Sequence, residues 1–246
     1  VIRVLNILLT RPFDQVKPLE ALVNECGHQA LLFPTLKIEA LKGSPLKERY
    51  DAVIFISANA VEYGLEALSS LDHRHDKIFA VGAATAKKLN DYGFKVDAFP
   101  QTKASSESLL AMPEVSELSD KDILIFRGKG GRETLREGLG KNNIVEYIEV
   151  YERTQCKIVA FHQTSLTQFL QSDQGVITIT SVENLSTLMA MVEKIDVGAL
   201  ESIKQYPLAV LSERIKTYAQ SVGFNKIEVA PQTNDEGLIQ AIESIS

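Results

Sequence analysis

The strongest constraint in this chain is that it repeats itself out of order. Phe55-Ile56-Ser57-Ala58-Asn59 resembles Ile179-Thr180-Ser181-Val182-Glu183-Asn184. A second pair follows each of these at nearly the same spacing. It is Tyr92-Gly93-Phe94 with Pro100-Gln101-Thr102 in one copy, and Val222-Gly223-Phe224 with Pro231-Gln232-Thr233 in the other. A third match, Leu8-Leu9-Thr10-Arg11-Pro12 with Leu124-Ile125-Phe126-Arg127-Gly128, comes first in one copy and late in the other. The simplest fold for such an order puts the first two strands with the C-terminal half. The expected division is a discontinuous domain 1, residues 1–36 plus 155–246, and a domain 2, residues 40–150. Linkers at 37–39 and 151–154 then cross between them.

Both copies are built from one unit: a short apolar run, a short polar turn and an amphipathic stretch. Strands are expected over 4–9, 30–33, 52–56, 78–81, 96–99, 123–126, 144–150, 176–179, 208–211 and 227–229. The first helix shows the logic. Val16, Leu19, Leu22 and Val23 share a face, and Gly27 stops it. Residues 35–47, with Gly43 and Pro45, read as a polar, irregular first crossing. Ile148-Glu149-Val150-Tyr151-Glu152-Arg153-Thr154 alternates apolar and charged residues as a strand does, and no helix follows at once. It is the expected return crossing, and it puts Tyr151 at the mouth between the lobes. Alternating strand–helix units imply an α/β fold with mostly parallel sheets.

The net charge of −6 argues against a general nucleic-acid or anionic-membrane surface. It leaves room for an anionic ligand in a locally positive cleft. No apolar run approaches a membrane span. The apolar start runs straight into Thr10-Arg11-Pro12 and reads as a strand rather than a signal peptide. Two cysteines, Cys26 and Cys156, make no disulfide framework, which fits a reducing cytoplasm.

In open parallel sheets, ligands bind beyond the carboxyl ends of the strands. Those ends here are Thr10-Arg11, Ser57-Ala58-Asn59, Gly82 to Thr85, Arg127 to Arg132, Ser181 to Asn184 and Ser212 to Arg214. Each opens a helix, so plain N-capping accounts for any one of them. As a set facing one cleft they suit a ligand with several carboxylates or phosphates. The basic, glycine-rich run 127–132, with Lys129 at its centre, lacks the spacing of a nucleotide loop and reads as a flexible cleft loop. Asp72-His73-Arg74-His75-Asp76 has metal-ligand residue types but reads as a solvated loop. His28 and His162 read as surface positions. With no nucleophile, metal or nucleotide motif, a cofactor-free enzyme or a binding protein remains.

The order of Leu9-Thr10-Arg11-Pro12, Phe55-Ile56-Ser57-Ala58-Asn59-Ala60-Val61, Ala80-Val81-Gly82-Ala83-Ala84-Thr85-Ala86, Val150-Tyr151 and Ile179-Thr180-Ser181 resembles the uroporphyrinogen-III synthases across essentially the whole chain. The resemblance implies two flavodoxin-like parallel-sheet domains joined by a two-stranded linker. It implies a small-molecule substrate, hydroxymethylbilane, a linear tetrapyrrole with eight carboxylates. Its ring D would be inverted through a spiro intermediate as water is lost, with no metal and no cofactor, in a cytoplasmic monomer. Tyr151 matches the family's candidate acid; a phenol of reference pKa about 10 is protonated at neutral pH. Thr85 matches the threonine of the family's Gly-x-x-Thr turn, and Ser181 the serine of its third motif. Where many members repeat Gly-x-x-Thr, this chain has Ser212-Glu213-Arg214-Ile215, so Ser212 or the backbone stands in. Thr10, Arg11, Ser57, Asn59, Gly82, Arg127 and Lys129 complete the expected substrate contacts. The rival from another class is a non-catalytic, two-lobed protein binding a polycarboxylate. A nucleotide-sugar transferase with two α/β domains is a further rival.

Overall fold

The structure is a computed structural model and describes residues 4–72, 77–172 and 174–245. Of the histidine-bearing loop at 72–76, His73, Arg74, His75 and Asp76 lie outside the described residues. Contacts divide the chain into two units, Val1–Lys37 with Thr154–Ser246, and Ile38–Arg153.

In chain order, β1 (Asn6–Leu9), α1 (Lys17–Glu25) and β2 (Gln29–Leu32) lead to β3 (Leu36–Ala40). Next come β4 (Ala52–Phe55), α2 (Ala58–Ser69), β5 (Lys77–Ala80), α3 (Ala83–Asp91), α4 (Ser106–Leu110), α5 (Pro113–Ser116), β6 (Asp122–Gly128), α6 (Thr134–Leu139) and β7 (Ile144–Gln155). The chain closes with α7 (Ala160–Leu170), β8 (Gly175–Ile179), α8 (Val182–Ile195), α9 (Val197–Ile203), β9 (Leu208–Val210), α10 (Glu213–Ser221), β10 (Ile227–Val229) and α11 (Asp235–Ile245). No helix among the described residues is long and apolar enough to cross a membrane.

The first unit holds a parallel sheet in the order β10-β9-β8-β1-β2. Counted along the chain within that unit, this is the doubly wound order 2-1-3-4-5 of flavodoxin-like folds. The second sheet runs β3-β7-β6-β4-β5, and β4, β5, β6 and β7 pair in parallel. The out-of-order repeat maps one sheet onto the other. β8 corresponds to β4, β9 to β5, β1 to β6 and β2 to β7, and each neighbour relation is kept. Even β10 has a counterpart, the single parallel bridge of Ala98 to Phe79 outside β5. That bridge is all that forms where a strand over 96–99 was expected.

Both sheets are covered on both faces, so their central strands are apolar throughout. Period-two alternation sorts the side chains. Leu8, Ile177, Ile179, Leu208 and Val210 pack into one core of the first unit. Ile7, Leu9, Val176 and Ala209 pack into the other. The second unit repeats this, with Val53, Phe55, Leu124 and Phe126 on one face and Ala52, Ile54, Ile123 and Ile125 on the other. Serines start the helices: Ser57, Ser105 and Ser181 each accept the backbone N–H three residues on.

Two expectations fail here. The stretch 35–47 is not irregular throughout, because it contains β3. The Leu41 N–H donates to Val150 O, and the Cys156 N–H to Thr35 O, both at 2.9 Å. Partner numbers fall as β3 advances, so β3 runs antiparallel to β7. The two histidines are buried, His28 at 6% exposure and His162 at 1%. Each ring has a use for both nitrogens. In His162, Nδ1 accepts the Val159 N–H at 3.3 Å and Nε2 faces Pro34 O at 3.0 Å. In His28, Nδ1 accepts the Leu5 N–H at 3.4 Å and Nε2 lies 3.0 Å from Glu243 Oε1.

Candidate functional site

In a doubly wound sheet the natural ligand position is the crevice where the strand order reverses. In the second unit that point lies between the carboxyl ends of β4 and β6. Two residues past the end of β4 stands Ser57, the N-cap of α2, whose Oγ accepts the Ala60 N–H at 3.0 Å. The same Oγ lies 3.1 Å from the Tyr151 hydroxyl, and either oxygen can donate. β6 ends at Gly128, against the tyrosine ring. A Cβ at Gly128 would stand 2.5 Å from Tyr151 Cζ, so only glycine leaves the ring its place.

Tyr151 reaches this position through a register fault. Arg127 pairs with Glu149, but the next residue, Gly128, pairs with Tyr151. Val150 is the extra residue of a β-bulge. Strict alternation would send Tyr151 to the face of Glu149, away from Ile148 and Val150. Instead Ile148, Val150 and Tyr151 all join the same core. Tyr151 is buried at 3% exposure. The Tyr63 ring lies 6.0 Å away, centroid to centroid, and the Arg153 guanidinium 5.7 Å from the ring centroid.

Gly82 caps α3 with its carbonyl, which accepts the Ala86 N–H at 3.0 Å. Thr85 is buried in the first turn of that helix, and Asn59 is half-buried in the first turn of α2. Arg127 departs from expectation. It is a strand residue of β6, not part of a flexible loop, and is only 3% exposed. The loop begins at Lys129, which is exposed and pairs with Glu152 at 3.0 Å.

In the first unit the equivalent crevice lies between β1 and β8, and side chains close it. Thr10 Oγ1 is 2.6 Å from Thr178 O and 2.7 Å from Asn184 Oδ1. Asn184 Nδ2 donates to Thr10 O at 2.9 Å and to Thr35 Oγ1 at 2.6 Å. All four residues are at most 1% exposed. Thr10 is therefore held in a buried network. Arg11 pairs with Asp235 at 2.7 Å. Ser181 caps α8 by accepting the Asn184 N–H at 3.0 Å. Ser212 starts α10 without a side-chain cap bond. Asn184 is the key residue that the sequence did not single out. Its signal was present, as the last member of the repeated Ser181 to Asn184 segment, but there it read as one more polar helix start. Thr35 and Thr178 carried no signal of their own.

Fold and site together define a class: a two-unit α/β protein whose helix-opening polar groups gather at strand carboxyl ends, as suits an anionic ligand. The family profile of uroporphyrinogen-III synthase HemD matches residues 17–240. The chain belongs to the uroporphyrinogen-III synthase family. It is 27% identical over 252 residues to the Escherichia coli uroporphyrinogen-III synthase, covering 97% of this chain and all of that one. It is 29% identical over 255 residues to the Salmonella typhimurium enzyme of the same name, with the same coverage. Its fold is similar to that of uroporphyrinogen-III synthetase from Helicobacter pylori. The TM-score is 0.68 at 17% identity, over 98% of this chain and 99% of that one.

Proposed function

We propose that this protein cyclises hydroxymethylbilane to uroporphyrinogen III, with inversion of ring D and loss of water. That makes it a cyclising hydro-lyase of tetrapyrrole (heme) biosynthesis. The observation that carries this reading is the family match over residues 17–240. The geometry supplies a mechanism to go with it. The electron-rich pyrrole of the substrate can expel its hydroxyl with modest help, so the protein's work is mostly positioning plus one proton. Tyr151 gives that proton to the departing hydroxyl, which leaves as water. The Ser57 hydroxyl, 3.1 Å away, then donates to the phenolate oxygen, which regains a proton when the cyclised pyrrole releases one to become aromatic again.

Substrate carboxylates meet Thr10, Arg11, Ser57, Asn59, Gly82, Thr85, Arg127, Lys129, Ser181 and Ser212 through side chains and helix-opening backbone N–H groups. For Thr10 only the backbone serves, because its hydroxyl is occupied. The same proposal includes two domains, 1–36 plus 155–246 and 40–150, linked at 37–39 and 151–154. It also includes a cytoplasmic monomer that works without a cofactor.

The deciding experiment supplies freshly generated hydroxymethylbilane, oxidises the products and separates the porphyrin isomers. Type III above the spontaneous type I background is the expected result. Type I alone rejects the reading.

A further inference from the structure

A cavity of about 230 Å³ opens at the carboxyl ends of β4, β5 and β6, and Ile56, Ser105, Ser106, Arg127, Arg132 and Tyr147 are among its lining residues. Its size sets the scale of what fits. Pockets for whole drug-sized ligands run from about 300 to 1,000 Å³. This one has room for a side arm, not for a tetrapyrrole.

The chemistry of the arm follows from Arg127. Its guanidinium is buried and lies 4.3 Å from the Tyr147 ring centroid. Nε donates to Gly128 O at 3.2 Å, and Nη1 to Glu133 Oε1 at 2.9 Å. Nη2, with two further N–H groups, lies against Gly131, where a Cβ would stand 2.8 Å away. A buried cation needs a compensating anion. The anion here is asymmetric to its partner: the Arg127 side chain is 4% exposed, that of Glu133 46%. Glu133 also lies 3.5 Å from Arg136 Nη1, so on leaving Arg127 it keeps a second cation and its exposure to water, and a guanidinium takes another carboxylate in the same forked geometry. Arg132 stands at the same cavity, paired with the exposed Glu107 at 2.6 Å. The lining thus holds two arginines, each neutralised by a displaceable glutamate, with two serine hydroxyls beside them.

We infer that this cavity receives one carboxylate arm of the substrate, with Arg127 as its anchor and Glu133 as the stand-in the arm displaces. The inference rests on the reaction proposed above, whose substrate carries eight carboxylates. An arm that takes no part in bond making is held equally in ground and transition states, so the anchor acts on KM and not on kcat.

The test is steady-state kinetics of type III formation with Arg127→Met, Glu133→Gln and Gly131→Ala, each checked for folding by circular dichroism. Arg127→Met should raise KM about tenfold and keep kcat within about twofold. Gly131→Ala should raise KM by crowding Nη2. Glu133→Gln should lower KM, because the competing carboxylate is gone. If the Arg127–Glu133 pair is only structural, Glu133→Gln shifts KM upward or not at all, and the inference is overturned. An unchanged KM in folded Arg127→Met overturns it equally. If Arg127→Met does not fold, the opposite signs expected for Glu133→Gln and Gly131→Ala decide. A wild type that makes only type I sinks the reaction and leaves this site testable. Uroporphyrin, an octacarboxylate, should still bind the wild type about tenfold more tightly than Arg127→Met, and equal binding rejects the anchor. Succinate identifies the source of the anion. If it binds the wild type as tightly as uroporphyrin, and Arg127→Met loses both alike, the cavity serves free carboxylates and the arm is excluded.

Discussion

The two crevices where strand order reverses occupy equivalent places in equivalent sheets, yet their polar groups are used differently. Between β1 and β8, Asn184 ties Thr10 and Thr35 into a buried network that also takes in Thr178 O. Between β4 and β6 the matching helix start, Ser57, keeps its cap and adds one external partner, the Tyr151 hydroxyl. The caps are nearly superimposable in conformation, φ −156° and ψ 162° at Ser181 against φ −164° and ψ 162° at Ser57. What differs is what packs beside them. One crevice fixes strands to each other. The other sets a phenol against the helix cap. A duplicated frame thus holds the same serine cap beside a closed side-chain network in one unit and beside a phenol in the other.

The comparison breaks most visibly at Asn184. Replacing it with alanine strands partners of Thr10 and Thr35 in a dry interior, at about 1–3 kcal/mol for each unsatisfied group. The expected loss is about 3 kcal/mol, read from the urea midpoint. A loss below about 1 kcal/mol would mean that the network is not what holds β1 to β8. Next in size is Tyr151→Phe. It should cut kcat for type III about tenfold to 100-fold, a share of what general acids supply, while costing about 1 kcal/mol of stability or less. Full turnover in the folded variant would remove the acid and leave positioning alone.

The paired variants Ser57→Ala and Ser181→Ala sharpen the contrast. Each loses an N-cap, so each should be destabilised by about 1 kcal/mol. Only Ser57→Ala should also lower kcat, because only that hydroxyl touches Tyr151. Equal kinetics in both would erase the difference between the crevices.

The smallest effect sits at the opposite end of the second sheet. Burial, and then the hydrogen bond from its hydroxyl to Glu146, push Tyr50 from 10.0 up to about 12. The folded state keeps a proton that the unfolded chain releases. The stability this lends is complete below about pH 10 and is lost as pH rises through about 12. Thermal melts from pH 9 to pH 12 should fall less steeply for Tyr50→Phe than for the parent.

Much of the fold was legible because its signals are local. Apolar runs marked nine of the ten strand positions in register with their helices, and serine caps marked helix starts. The repeated segments gave the correspondence of the two sheets before any strand was paired. β3 was missed although Leu36-Lys37-Ile38-Glu39-Ala40 alternates apolar and charged residues, because the polar run with Gly43 and Pro45 that follows set the reading of the whole stretch; its partner, β7, lies more than a hundred residues later. His28 and His162 were misread because a histidine's burial depends on distant acceptors, Glu243 and Pro34 O. Arg127 read as loop because glycines follow it. Its burial comes from the Tyr147 ring and Glu133, which only the folded chain brings near.

By itself, then, the sequence determined the α/β class, the out-of-order duplication, the polar strand ends and the identity of Tyr151 as the residue to examine. Only the tertiary structure decided where that tyrosine points. Alternation has a period of two, so one extra residue moves every later side chain to the other face. The bulge at Val150 is that residue. It is set by the pairing of Gly128 with Tyr151 and leaves no mark in the alternating pattern of β7.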